Sequence, residues 1–244
     1  MRQLLTKMRH PIYILLILVA ALTSCHQTKG TYIDERDKDY QLYDYYVDSY
    51  GNEGIVAGIY TYEKTNEKSI IVLSLDEAYL PWGPMGEKVY PDSISHYGLE
   101  DAYFGIAMLQ IMKSIGISRY PAQEWCDQKN KDEAYVRGGS WHLPTFQELH
   151  LIFGDDGEDI PQLNQALSKH GGVPITKEHL YWTCVEDFDG YLKLEDEISN
   201  FDQANRAIAV RSDIRFYSNK DYWLKKNRYN VRAVKYIYYQ YDGY

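Results

Sequence analysis

Apolar and polar positions change period several times along this chain, and each change marks an element. Gly54-Ile55-Val56-Ala57-Gly58-Ile59-Tyr60 and Ser69-Ile70-Ile71-Val72-Leu73-Ser74-Leu75 are short apolar runs rich in β-branched residues. Thr65-Asn66-Glu67 makes the turn between them, so the pair predicts an antiparallel hairpin. From Leu99 to Ile115 the period becomes helical, with Ala102, Tyr103, Ile106, Ala107, Gln110 and Ile111 spaced by threes and fours, Asp101 near the start and Gly116 at the stop. Pro121 opens a second helix, which carries Ala122, Trp125 and Cys126 on one face. Lys129 to Arg137 reads as a charged loop.

The stretch Gly138-Gly139-Ser140-Trp141-His142-Leu143-Pro144-Thr145 carries the densest local instruction. Trp141 and Leu143 share one face of an extended segment, and Pro144 disfavours a helical conformation at Leu143. Thr145 and Glu148 then have the spacing of a capping box, which starts a helix that Gly154 stops. Asp155, Asp156, Glu158 and Asp159 form an acidic turn. Asp159 and Gln162 repeat the capping-box spacing, with Pro161 in the first turn of a further helix that ends at Gly171-Gly172. Strands are predicted over His179–Glu186, Asn205–Ser212 and Asn230–Tyr239, with an acidic connection from Asp187 to Asp202. Strands at both ends and helices between them predict an α+β domain whose terminal strands share a sheet.

The amino terminus reads as an export signal. Arg2, Lys7 and Arg9 precede an apolar run from Ile12 to Ser24, too short to span a bilayer and suited to a signal core. The run ends Leu22-Thr23-Ser24-Cys25, which resembles the lipobox of bacterial lipoproteins, in which the Cys becomes the lipidated first residue. The expected organisation is a signal peptide over 1–24, a lipidated terminus and tether over 25–52, and a folded domain over 53–244, with Tyr40 to Tyr50 open to a short helix or strand packed on the domain. Several acyl chains at about 0.8 kcal/mol per CH₂ make a firm anchor, and the expected address is the cell envelope, as an outer-membrane lipoprotein.

The chain carries 26 basic and 35 acidic residues. Without the three basic residues of the signal, 23 remain against 35, a net charge of −12. That balance argues against non-specific nucleic-acid binding. Tyrosine is abundant, 25 of 244 residues, and crowds both ends of the domain. The C-terminal set alternates with apolar residues in the manner of a strand; the N-terminal set fits either a binding face or packing. Cys126 and Cys184 are either a disulfide, which would close a loop worth roughly 4 kcal/mol, or two buried thiols; spacing alone does not decide.

Pro121-Ala122…Trp125-Cys126, Trp141-His142-Leu143-Pro144…Glu148-Leu149, Tyr181-Trp182-Thr183-Cys184-Val185-Glu186 and Val231-Arg232-Ala233-Val234 occur in the order and spacing of a known pattern. As an ordered set they resemble the Lcl C-terminal domain and the related Fibrobacter major paralogous domain. The resemblance covers about Gly54 to Ile237. It implies a C-type-lectin-like fold on an exported surface protein with adhesive or ligand-binding use; the collagen-like adhesin that names the family is associated with sulfated glycans. Cys184 departs from the Ser or Thr usual there, and the connection Asp187 to Asp202 is longer and more acidic. The Glu-Pro-Asn, Gln-Pro-Asp and Trp-Asn-Asp signatures of calcium-dependent sugar binding are absent from the sequence, so that activity is not carried over.

Few residues suggest chemistry directly. His142, Glu148 and His150 lack H-E-x-x-H spacing and read as capping and surface residues rather than metal ligands. The acidic connection does not follow a calcium-loop pattern. No catalytic residue, metal or cofactor is expected. From Arg206 to Lys235 nine basic residues face two acidic ones, with aromatics interleaved. Within this stretch Arg215, Tyr217, Tyr222, Trp223, Lys225, Lys226 and Arg228 form the candidate ligand face, since guanidinium forks suit sulfate and carboxylate and aromatic rings stack on sugars. The same charges also suit the acidic connection of their own domain. Trp82 is a weaker ligand candidate, and Trp125, Trp141 and Trp182 are assigned to the core. The leading expectation is a non-enzymatic, lipid-anchored binding or adhesion module for an anionic glycan or a protein. The alternatives are a structural component of a surface assembly, such as a pilus tip, and an oxidase of the formylglycine-generating type using Cys126 and Cys184 as copper ligands.

Overall fold

Strands β2 (Glu53–Thr61) and β3 (Lys68–Ser74) form the antiparallel hairpin expected from the first two apolar runs, with a bulge between Val56 and Gly58. The computed structural model describes residues 38–61, 68–89, 102–130, 139–186, 203–212 and 221–238, all within a compact unit spanning 35–244. A short strand, β1 (Tyr45–Val47), pairs with β2 on its outer edge. The domain therefore begins before residue 53, and 40–52 is folded chain rather than tether. Tyr40 and Tyr46 are buried there, which assigns that part of the N-terminal tyrosine set to packing.

The chain leaves this sheet through β4 (Ala78–Pro81) and runs into helices α1 (Ala102–Ile115), α2 (Pro121–Asp127), α3 (Phe146–Phe153) and α4 (Ile160–Lys169). Strands β5 (Leu180–Glu186), β6 (Arg206–Arg211), β7 (Asp221–Leu224), β8 (Arg228–Val231) and β9 (Val234–Tyr238) follow. One sheet has the order β1-β2-β3-β9 and the other β4-β8-β5-β6-β7. The first and last strands thus share a sheet, and the class is α+β. The pairings are antiparallel except for β5 with β8. Helix α3 packs on β2, β5 and β6, so it joins the two sheets.

The apolar run from Asn230 to Tyr239 does not form one strand. It divides at Arg232-Ala233 into β8 in one sheet and β9 in the other. The opposite chain divides in the same place, between β3 and β4. Arg232 explains the corner: its buried guanidinium donates to the carbonyls of Ser74 (2.9 Å), Leu75 (3.1 Å) and Val173, and to Glu77 (3.0 Å). The Ser74 and Leu75 carbonyls lie where the ladder is interrupted, and the guanidinium fork donates to both while tying in the loop carbonyl of Val173.

Helix α3 starts as its sequence dictates. The Thr145 hydroxyl accepts from Glu148 N at 3.1 Å, and the Glu148 carboxylate accepts from Thr145 N at 2.8 Å. The expected box at Asp159 does not form, because Asp159 itself adopts helical backbone angles and makes no side-chain cap. Its carboxylate instead accepts the Tyr43 hydroxyl at 3.3 Å.

Candidate functional site

The candidate ligand face centres on the turn between β7 and β8. Trp223 and Tyr229 flank that turn with ring centroids 5.5 Å apart in edge contact, and Tyr229 packs on Trp182 at 4.9 Å. Trp223 and Tyr229 are half-buried, whereas Trp182 is fully buried and anchored by its indole N–H to the Leu80 carbonyl at 3.0 Å. Asn227 donates to the Tyr229 hydroxyl at 3.2 Å. Lys226 and Arg228 are exposed, and neither has an ion-pair partner among the described residues. Two solvated cations therefore border a partly exposed aromatic pair, a surface suited to an anionic group carried on a ring or chain.

Lys225, expected on the same face, turns inward. It is fully buried, its ammonium contacts the Glu186 carboxylate, and it donates to the Glu87 carbonyl at 2.7 Å. The Trp82 ring lies 4.7 Å from the ammonium. Lys225 is thus withdrawn from any ligand, because Glu186 at the end of β5 is itself buried and needs a counter-charge. Trp82 is buried as well, with its indole N–H on the Thr183 carbonyl at 2.8 Å, and offers no ligand surface. Arg215, Tyr217 and the acidic connection lie outside the described residues, and Tyr222 lies on β7. Tyr229 is one of the aromatics interleaved in the basic stretch, whereas Asn227 joins the face without a motif to announce it; only the turn places it there.

A second polar cluster surrounds the segment from Ser140 to Glu148. His142 is fully buried, with Nδ1 2.7 Å from the Ser140 carbonyl and Nε2 3.2 Å from Glu148. Burial works against the charged imidazole, but the Glu148 carboxylate and the Ser140 carbonyl outweigh it and hold the ring above its ordinary value of 6.5. Glu148 is therefore shared between helix cap and histidine. Near it, Asp48 accepts from the Trp141 indole (2.8 Å), the Asn52 side chain (2.8 Å) and the backbone N–H groups of Tyr50 and Asn52. Burial opposes its charge, yet these donors and Lys235 together hold its carboxyl below 3.8. Trp141 and Trp182 are core residues as expected, while Trp125 is only half-buried under the Lys129 ammonium at 4.6 Å.

Cys126 and Cys184 are free, buried thiols rather than a disulfide, and burial pushes both well above the ordinary thiol range. Such thiols resist the deprotonation that copper ligation requires. His150 is half-buried and sits 3.6 Å from Asp155, apart from the His142–Glu148 contact. Among the described residues, three or more His, Cys, Asp or Glu side chains nowhere gather as metal ligands would, and no helix is long and apolar enough to cross a membrane.

No protein-family model matches this sequence, and no curated protein does. Among solved structures, the fold is similar to a crystal structure of a fimbrial protein from Bacteroides ovatus, with a TM-score of 0.56 at 13% identity. The match covers 81% of this chain and 49% of that one, so this chain spans about half the length of the structure it resembles.

Proposed function

We propose that this protein is an exported, lipid-anchored module of a cell-surface assembly that acts by binding rather than by catalysis. The observation that supports this most is the fold likeness, which runs through 81% of the chain and is to a fimbrial protein. The sequence adds the export signal and Cys25 at its end. Buried polar groups fit a scaffold role, since Asp48, His142, Glu148, Glu186 and Arg232 are occupied by contacts within the fold. The test is purification of the full chain from the cell surface after zero-length cross-linking. A stoichiometric envelope protein, recovered with the wild type and lost with Cys25→Ser, is the expected result. Recovery of the chain alone, from the soluble fraction, overturns the reading.

A ligand-binding use of the same module, with an adhesive role, draws on Lys226 and Arg228 beside Trp223 and Tyr229. The ligand class this suits is an anionic glycan, and a C-type-lectin-like fold is the architecture that goes with such a use. Salt-sensitive retention on heparin that falls when Lys226 and Arg228 become Ser favours this use. Retention unchanged by those substitutions removes it.

A further inference from the structure

Trp82, Trp141 and Trp182 are buried, and each indole N–H has an acceptor: the Thr183 carbonyl at 2.8 Å, the Asp48 carboxylate at 2.8 Å and the Leu80 carbonyl at 3.0 Å. Trp223 departs from this pattern. Its indole N–H is buried and has no hydrogen-bond acceptor among the described residues. Buried donors are nearly always paired in native proteins, so an orphan on a half-buried ring needs a reason. Its place in the fold supplies one. Two strands, β5 and β6, lie between β7 and β8 in their sheet, yet Lys225, Lys226 and Asn227 suffice to connect β7 to β8. The sheet therefore curls. Across the curl the Trp223 ring meets Tyr229 at 5.5 Å, and Tyr229 meets Trp182 at 4.9 Å. Ala207 and Ala209, in register with Trp223 and Trp182, leave room for the rings.

We infer that Trp223 is the specificity-determining residue of this face: its indole N–H donates to an oxygen of the ligand's sulfate or carboxylate group, while Lys226 and Arg228 on the adjoining turn supply the charge. The inference rests on the anionic-glycan reading and names the contact that selects among such ligands. An indole N–H donates and cannot accept, so the atom that pairs with it is an acceptor. Lys226 and Arg228, both exposed, are donors as well, and the three together call for an oxyanion. Two solvated cations attract any anion and discriminate little between them. A recessed donor is satisfied only by an oxygen that projects far enough to reach it, and a ligand without one leaves it unpaired. Because the Trp223 ring is half-buried, its N–H lies behind the surface rather than deep in the core, and rotation of the side chain opens it to such an oxygen.

The test titrates a heparin oligosaccharide into the full chain, purified in detergent and carrying ¹⁵N only in its tryptophan indoles. The sequence holds five tryptophans, so five indole signals are expected. Trp223→Phe, which keeps a ring and removes the N–H, identifies the Trp223 signal; its through-space contact to the Tyr229 ring does so where that variant fails to fold. The expected result is a downfield move of the Trp223 N–H signal, larger than that of any other indole and reversed by salt. Trp223→Phe is expected to bind heparin about tenfold more weakly. Heparin binding that depends on Lys226 and Arg228 but leaves the Trp223 signal in place overturns the inference and keeps the ligand reading. Absence of heparin binding overturns both.

Discussion

Two of the buried ionic sites among the described residues differ in how far apart in the chain their partners lie. His142 and Glu148 are six residues apart, and the capping box that shares Glu148 is written in Thr145-x-x-Glu148. Glu186 and Lys225 are 39 apart and join a strand end to a turn that no local pattern predicts. The first joins residues of one short segment; the second joins a strand end to a turn that only sheet pairing brings together. The contrast separates polar groups that specify local structure from those that hold assembled structure together.

The comparison breaks most sharply at Glu186. Glu186→Ala leaves the Lys225 ammonium buried without its counter-charge, and the expected loss is about 3–5 kcal/mol in urea unfolding. Asp48→Ala is next: it strips the acceptor from the Trp141 indole and from three donors of residues 50–52. About 3 kcal/mol is expected from the buried donors left unpaired. If 40–52 acted only as a tether, that substitution would leave the unfolding midpoint unchanged.

Smaller effects sharpen the local site. A Cβ at Gly105 would lie 2.3 Å from the His142 ring, so Gly105→Ala is expected to cost about 1–3 kcal/mol through overpacking against His142. Thr145→Ala removes only the cap, worth about 1 kcal/mol. The smallest effect is in pH. His142 is held above 6.5 in the fold, so its stabilising contribution is complete below that value. It declines as pH rises through the higher folded value. Urea midpoints for the wild type should fall as pH rises through that folded value, and His142→Gln should flatten the profile; parallel profiles would show the ring is neutral throughout.

Local pattern and structure agree closely along most of the chain. The hairpin, the four helices, the capping box at Thr145 and the stop at Gly154 follow from neighbours a few residues apart, where apolar period and backbone chemistry act directly. Errors fall where a local signal had a distant competitor. Asp159 had the spacing of a cap but was taken by Tyr43. Lys225 sat in a basic run with Lys226 but was drawn inward by Glu186. The run from 230 to 239 looked continuous until Arg232 turned it between sheets. Of the candidate ligand face, the basic and aromatic character was legible, and which side chains point outward was not.

What the sequence determined by itself was the order of elements and the α+β class, because each rests on period, composition and short-range capping. Tertiary structure decided between tether and packed strand for residues 40–52, and it alone decided that the cysteines are buried thiols and that Lys225 is core while Lys226 and Arg228 are surface. Those outcomes depend on where a charge or a hydrogen-bond donor finds its partner. Partners brought together by sheet pairing, 39 residues apart for Glu186 and Lys225 and 93 for Asp48 and Trp141, leave no trace in the local pattern of either segment.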